Sequence, residues 1–227
     1  MSSKSIDSAL WYLGRGSGVV SLALLTLVVG LGIVTRSGRT LPGLPRFAVS
    51  AVHRSASLLA VSFLVIHVVT LTLDPQSQLR WLDAVIPFGS HFRPLWIGLG
   101  ALSLDLMVAL TVTSLLRQRI GRRVWRAIHW AAYALWPFAM LHSIGSGTDA
   151  GRMWMVWFLV ACAVAVIGIV GWRVSPGFLD DRDRVPGTKL PAPRAHAMTR
   201  PLATTRPLAT TRPVATTRPV ATTRGRR

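Results

Sequence analysis

The sequence predicts an all-α integral membrane protein: a bundle of five transmembrane helices followed by a disordered C-terminal tail. Three observations carry this. Hydrophobic residues make up 51% of the 227 positions, and they gather in runs of the roughly 20 residues that a membrane-crossing helix needs. The charge lies outside those runs: 26 Lys and Arg against 8 acids, net +18. All the acids are Asp, whereas a soluble, salt-bridged helical protein uses Glu freely, so the missing Glu fits helices that face lipid. Finally, the last 29 residues or so are a polar repeat with little surface to bury.

The apolar runs fall at about 17–35, 49–73, 94–116, 124–145 and 153–173. The first is read as a retained helix. Its apolar core exceeds a signal-peptide h-region, and "TRSGRT" offers no small-residue cleavage site. Residues 1–16 then form a short N-terminal segment, 17–174 the membrane domain and 175–227 the tail. The connections are short, so neighbouring helices are expected to be antiparallel.

Orientation follows from Lys and Arg. Arg36, Arg39, Arg46 and Arg54 cluster around the first connection, and Arg117, Arg119, Arg122, Arg123 and Arg126 around the third. The opposite side carries Lys4 and Arg15, then Arg80 and Arg93, then Arg152. With five helices, both basic connections and the tail share one side. That side is expected to be cytoplasmic, with the N-terminus outside, in a bacterial cell membrane. A charge this basic also raises nucleic acid, but its placement in loops favours the bilayer as partner and no specific nucleic acid. The single cysteine, Cys162, excludes an intramolecular disulfide and a Cys-ligated cluster.

The tail contains the unit TRP[LV]AT four times. Such a segment cannot offset its ordering entropy and is expected to be disordered, with polyproline character at each Pro. Its arginines suit a solvated tail, or a tether to anionic headgroups.

Four of six histidines lie in apolar runs: His53 and His67 in "HRSASLLAVSFLVIH", His129 and His142 in "HWAAYALWPFAMLH". The second and fourth helices run in the same direction, so the first histidines share one depth and the second histidines another. Fourteen residues rise about 21 Å and end about 40° short of whole turns, so His53 and His67 share a face. Thirteen residues leave His129 and His142 about 140° apart on a straight helix, and Pro137 between them is a place to kink or rewind it. Neutral imidazole is a good haem ligand, and two facing helices can supply both axial positions. Zinc and copper want three or four ligands close together. The reading is two stacked haems; the alternative for each histidine taken singly is a hydrogen-bonded packing residue.

In these residues the chain resembles the ferric reductase-like transmembrane domain. That family includes the membrane parts of NADPH oxidases and ferric reductases, and the haem-binding subunit of bacterial methionine sulfoxide reductase systems. Its members carry two b haems between two helices, on His pairs thirteen or fourteen residues apart. The resemblance covers about residues 10–174. It implies that His53 and His129 hold the cytoplasmic-side haem, and that His67 and His142 hold the outer one. It also implies electron transfer from inside to outside. The family commonly has six helices, one more than is counted here. The oxidases and ferric reductases also continue into a flavin and nicotinamide domain, and this tail has no strand followed by G-x-G-x-x-G. FAD or FMN and NAD(P)H are therefore expected only through a partner: a separate flavoprotein reductase, or else a membrane quinol, supplies electrons. The expected acceptor is extracytoplasmic, a flavin-binding protein among the candidates.

Arg54 and Arg126, with Arg122, are placed to pair with inner haem propionates or to anchor the helices. Arg93 and His91 are the outer counterparts. Trp136 lies between the two histidine levels, as a packing residue or an aid to electron passage. Asp105, deep in the third helix, is expected to make a structural hydrogen bond. No nucleophile–base or paired-carboxylate site is apparent, which argues against hydrolytic chemistry. The alternative to electron transfer is a non-redox membrane scaffold or transporter subunit with metal-binding or packing histidines.

Overall fold

The computed structural model describes residues 3–37, 45–147, 149–176 and 178. Arg39, His196 and the tail repeats fall outside these residues. Every element among them is helical.

The first helix, α1 (Ser3–Ser37), begins well before the apolar run and continues through residues read as an N-terminal segment. It packs most extensively against α2 (Arg46–Leu73). Small residues allow this. Gly14, Ser17, Gly18 and Ser21 recur at helical spacing on α1; Gly14 lies against Thr70 and Leu71 of α2 and Gly18 against His67, and the Ser21 hydroxyl donates to the carbonyl of buried Ala60 at 3.2 Å. In lipid, where apolar burial against a neighbour gains little, such close backbone approach is what drives helices together.

A turn and the short helix α3 (Trp81–Val85) lead to α4 (Pro94–Leu115). Asp83 at the start of α3 accepts the Arg80 backbone N–H at 3.0 Å and its guanidinium at 3.2 Å, which holds the carboxyl below its ordinary range. Trp81, Leu82 and Val85 are exposed, as suits a segment lying at a membrane interface. Pro94 occupies the first turn of α4, where its missing N–H costs nothing.

The helix expected at 124–145 is not continuous. After α5 (Arg117–Ile120) the chain forms α6 (Arg122–His129), a break at Trp130–Ala131, and α7 (Ala132–Ser146). The last helix, α8 (Met153–Val174), packs along α1. Among the described residues, four helices are each long and apolar enough to cross a membrane: those of α1, α2, α4 and α8. By itself α7 rises only about 22 Å, short of a hydrocarbon core of about 30 Å. The core joins Leu22 and Leu25 of α1 to Met107 of α4, Trp136 of α7 and Leu159 and Cys162 of α8. Large apolar side chains on the outer faces, among them Trp157, Val164 and Ile167, are exposed, as lipid-facing residues are.

Candidate functional site

The four membrane histidines lie at two levels across the helices, and at one of them two rings face each other. His67 of α2 and His142 of α7 have ring centroids 6.3 Å apart and ring planes at 84°. His53 of α2 lies close enough to His129 of α6 for the two to interact electrostatically. First pairs with first and second with second, as parallel histidine-bearing helices require. Yet α2 and α7 do not pack closely against each other; their partners are α1 and α4 respectively. The rings reach across a separation between the two helices.

The break at Trp130–Ala131 explains how thirteen residues do the work of fourteen. The N–H groups of Trp130, Ala131, Tyr133 and Ala134 each bond the carbonyl three residues back, at 3.3, 2.9, 3.0 and 3.0 Å. This is 3₁₀ winding, about 120° and 2.0 Å per residue against about 100° and 1.5 Å. Four or five such residues add about 80–100° of twist and about 2 Å of rise. The step from His129 to His142 then ends about 40–60° short of four turns and rises about 21 Å, matching His53 to His67. The rewinding lies ahead of Pro137, which sits inside α7.

The His67 and His142 rings are fixed from third helices. His67 Nδ1 lies 2.6 Å from the Gly14 carbonyl of α1, and His142 Nδ1 lies 2.8 Å from the Trp96 carbonyl of α4. A carbonyl only accepts, so each Nδ1 carries the proton. In the neutral ring, that leaves the Nε2 lone pair free. Glycine makes room: a Cβ on Gly18 would stand 2.7 Å from His67 Nδ1, and one on Gly100 2.6 Å from His142 Nδ1.

The other tier is built differently. Nδ1 of His53 and of His129 are buried without a formed hydrogen bond to any described residue, although His53 lies beside the Val28 carbonyl. His129 stacks on Trp125 one turn earlier, centroids 4.9 Å apart and planes at 27°. The Trp125 indole N–H in turn donates to Ser114 Oγ at 3.3 Å.

Of the other residues singled out in the sequence, Arg54, Arg122 and Arg126 are exposed. Arg93 donates to the Gly145 carbonyl at 2.8 Å, tying the start of α4 to the end of α7. His91 lies with Gln78, Arg80, Asp83 and Phe92 around an open hollow on the loop side. Trp136 is buried at the core and donates to Thr26 Oγ1 at 2.9 Å. Asp105 is half-buried and makes no hydrogen bond or ion pair with a described residue, so the structural hydrogen bond expected of it does not form there. The carbonyls of Gly14 and Trp96 and the ring-bearing face of Gly18 and Gly100 carry no sequence signal, because any residue has a carbonyl and glycine is frequent in membrane helices. The Trp125–His129 stack had one: a spacing of four on a helix.

Fold and site together define a multi-pass helical membrane protein with two tiers of paired imidazoles inside. The sequence matches the family described as "Ferric reductase like transmembrane component" over residues 17–140, more than half of the chain. The chain belongs to this family, whose membership points to transmembrane electron transfer in general. The matched region contains His53, His67 and His129 and stops two residues before His142. No curated protein and no solved structure matches the chain.

Proposed function

We propose that the protein is a membrane cytochrome b that relays electrons across the bilayer through two bis-histidine haems. His53 and His129 would hold one haem, His67 and His142 the other. The observation that carries this reading is the state of the outer pair: Nδ1 is tied to backbone carbonyls on both rings, so both Nε2 lone pairs are free. A carbonyl or carboxylate partner at the second nitrogen is the usual signature of a metal-ligating histidine.

The residues fit the group in three further respects. Two imidazoles on one ion have centroids about 6 Å apart, from metal–nitrogen bonds of about 2 Å and about 1 Å from each nitrogen to its ring centre; His67 and His142 stand at 6.3 Å. The histidine-bearing helices are not closely packed, which suits a planar group between them. Buried imidazole nitrogens without partners in the other tier are costly unless something engages the ring.

When bound, a b haem supplies one-electron chemistry at its iron. The chain's own part is placement. Gly14 and Trp96 orient the outer rings through their carbonyls, and stacking on Trp125 orients His129. Both tiers use a step of about 21 Å along the helix axes, so two haems held by these residues would be spaced by about that rise. In this reading α6 and α7 together make the fourth of five crossings, since residues 122–146 extend over roughly 37 Å. The arginines of α5 and α6 then lie in the cytoplasm with the His53–His129 tier, and the His67–His142 tier faces outside. Exposed Arg54 and Arg126 are free to meet haem propionates. Electrons come from a separate flavoprotein or from quinol and leave to an extracytoplasmic acceptor.

The test is haem content. Pyridine haemochrome analysis of the purified protein should give two b haems per chain, and a well-folded protein without haem would leave a non-redox membrane scaffold.

A further inference from the structure

The tight turn between α6 and α7 sets the register of His129 against His142, and something must hold it in 3₁₀ winding. Pro137 cannot be the whole cause: its ring reaches back to the Tyr133 carbonyl, four residues before it, whereas the tight winding begins at Trp130–Ala131, six to seven residues ahead of it, and α7 continues through the proline. The turn's own flanking residues, Trp130 and Tyr133, are both engaged by one side chain from another helix. The Arg173 guanidinium, in the last turn of α8, lies over the Trp130 ring at 5.1 Å and the Tyr133 ring at 5.4 Å. Phe178, itself buried, closes the third side at 5.8 Å. The Trp130 and Tyr133 rings also touch, centroids 5.2 Å apart.

We infer that Arg173 is a positioning residue for His129: it clamps Trp130 and Tyr133 on either side of the tight turn and so keeps His129 turned toward His53. The inference rests on the haem reading given above. Its physical content is the twist. A planar cation suits this role because it can lie against two ring faces at once. With the clamp gone, residues 130–134 can relax to ordinary helical winding, giving back about 80–100° of rotation between His129 and His142. His142 is fixed independently by the Trp96 carbonyl, so it is His129 that swings away. The guanidinium also keeps Nη1 buried without an acceptor among the described residues. Its place is therefore set by the rings more than by hydrogen bonding at that nitrogen.

The experiment compares wild type with Arg173→Met, which keeps a long side chain without the charge, and Arg173→Lys, which keeps the cation. Each is purified and read by haem content, by low-temperature spectra of the two b centres and by redox titration. The expected result is two haems in wild type, about one in Arg173→Met with the outer centre unshifted, and both in Arg173→Lys with only the inner centre's potential or spectrum displaced. Two unaltered centres in Arg173→Met would overturn the inference and leave the haem reading standing. Equal loss of both centres would overturn it too, by showing a merely global role. Wild type without haem would overturn the haem reading and this inference with it. Should Arg173→Met fail to accumulate, Phe178→Leu removes one wall of the clamp and is judged by the same selective loss or shift.

Discussion

His67 and His142 face each other at 6.3 Å with nearly perpendicular rings, although neither ring is held by the other's helix. Each is tied at Nδ1 to a backbone carbonyl of a third element, Gly14 on α1 and Trp96 on α4. This pair is thus a four-helix construction. Its geometry depends on how closely α1 approaches α2 and how closely α4 approaches α7.

Glycine at 18 and 100 is a requirement of close approach. Adding a Cβ at either would push it to 2.7 or 2.6 Å from the ring nitrogen it faces, inside van der Waals contact. Gly18→Ala and Gly100→Ala should each displace a ring, break its carbonyl bond and cost about one haem per chain in the proposed cytochrome. Gly16→Ala is the control, because nothing lies within 4 Å of a Cβ there. It should retain both haems and, as an alanine in a helix interior, stabilise by up to about 1 kcal/mol. Haem content and thermal denaturation in detergent check both.

Trp136 and Thr26 join α7 to α1 by a hydrogen bond of 2.9 Å within the core. A double-mutant cycle of Trp136→Phe and Thr26→Val should give a coupling of about 0.6 kcal/mol and no more than about 1.7 kcal/mol, as found for side-chain hydrogen bonds between membrane helices. Thermal unfolding of the four proteins measures it; additive effects would mean that the bond contributes nothing.

Asp149, in the connection between α7 and α8, is paired with Arg15 of α1 and, at 3.1 Å, with Arg152. The hydrogen bond from Arg15 is the main cause that holds its carboxyl below the ordinary value of 3.8. A lowered folded-state value means that the stabilisation is fully present above about pH 3.8 and is lost as pH falls through the lower folded value. Arg15→Gln should therefore lower thermal stability at neutral pH, and the gap from wild type should close as acid is added below that point. A gap that persisted into strong acid would assign the role of Arg15 to its stacking on Trp11, at 4.1 Å, instead.

The proposed topology puts Gln118 in the cytoplasm and Gly151 outside. Both positions tolerate cysteine: Gln118 is exposed, and nothing lies within 4 Å of a Cβ at Gly151. With buried Cys162 changed to Ser, an impermeant maleimide should label Gly151→Cys in intact cells and Gln118→Cys only after permeabilisation. The reverse pattern would invert the direction of electron flow.

Much of this bundle was legible in the sequence because lipid imposes a simple rule: apolar runs of sufficient length become helices. The ends of α2, α4 and α8 fall within three residues of their apolar runs for that reason. The approach of His67 to His142 was legible as well, since histidine spacing fixes depth and direction. The interrupted fourth run was not. Its hydrophobicity is continuous across Trp130–Ala131, and the 140° mismatch in histidine spacing signalled a rewinding that the sequence placed at Pro137, whereas the tight hydrogen bonds begin at Trp130. The clamp that grips the turn comes from Arg173, about forty residues away in sequence, and reads there as an ordinary basic residue at a helix end. Backbone carbonyls that fix ring tautomers leave no trace in a sequence at all.

Haem stoichiometry decides whether the four histidines form two independent haem sites. Pyridine haemochrome analysis should be run on wild type and on His53→Ala, His67→Ala, His129→Ala and His142→Ala. Two b haems per chain are expected in wild type and about one in each variant. His53→Ala and His129→Ala should lose the same spectral component, while His67→Ala and His142→Ala lose the other. Two haems retained in any variant, or loss that groups His53 with His67, would contradict that arrangement.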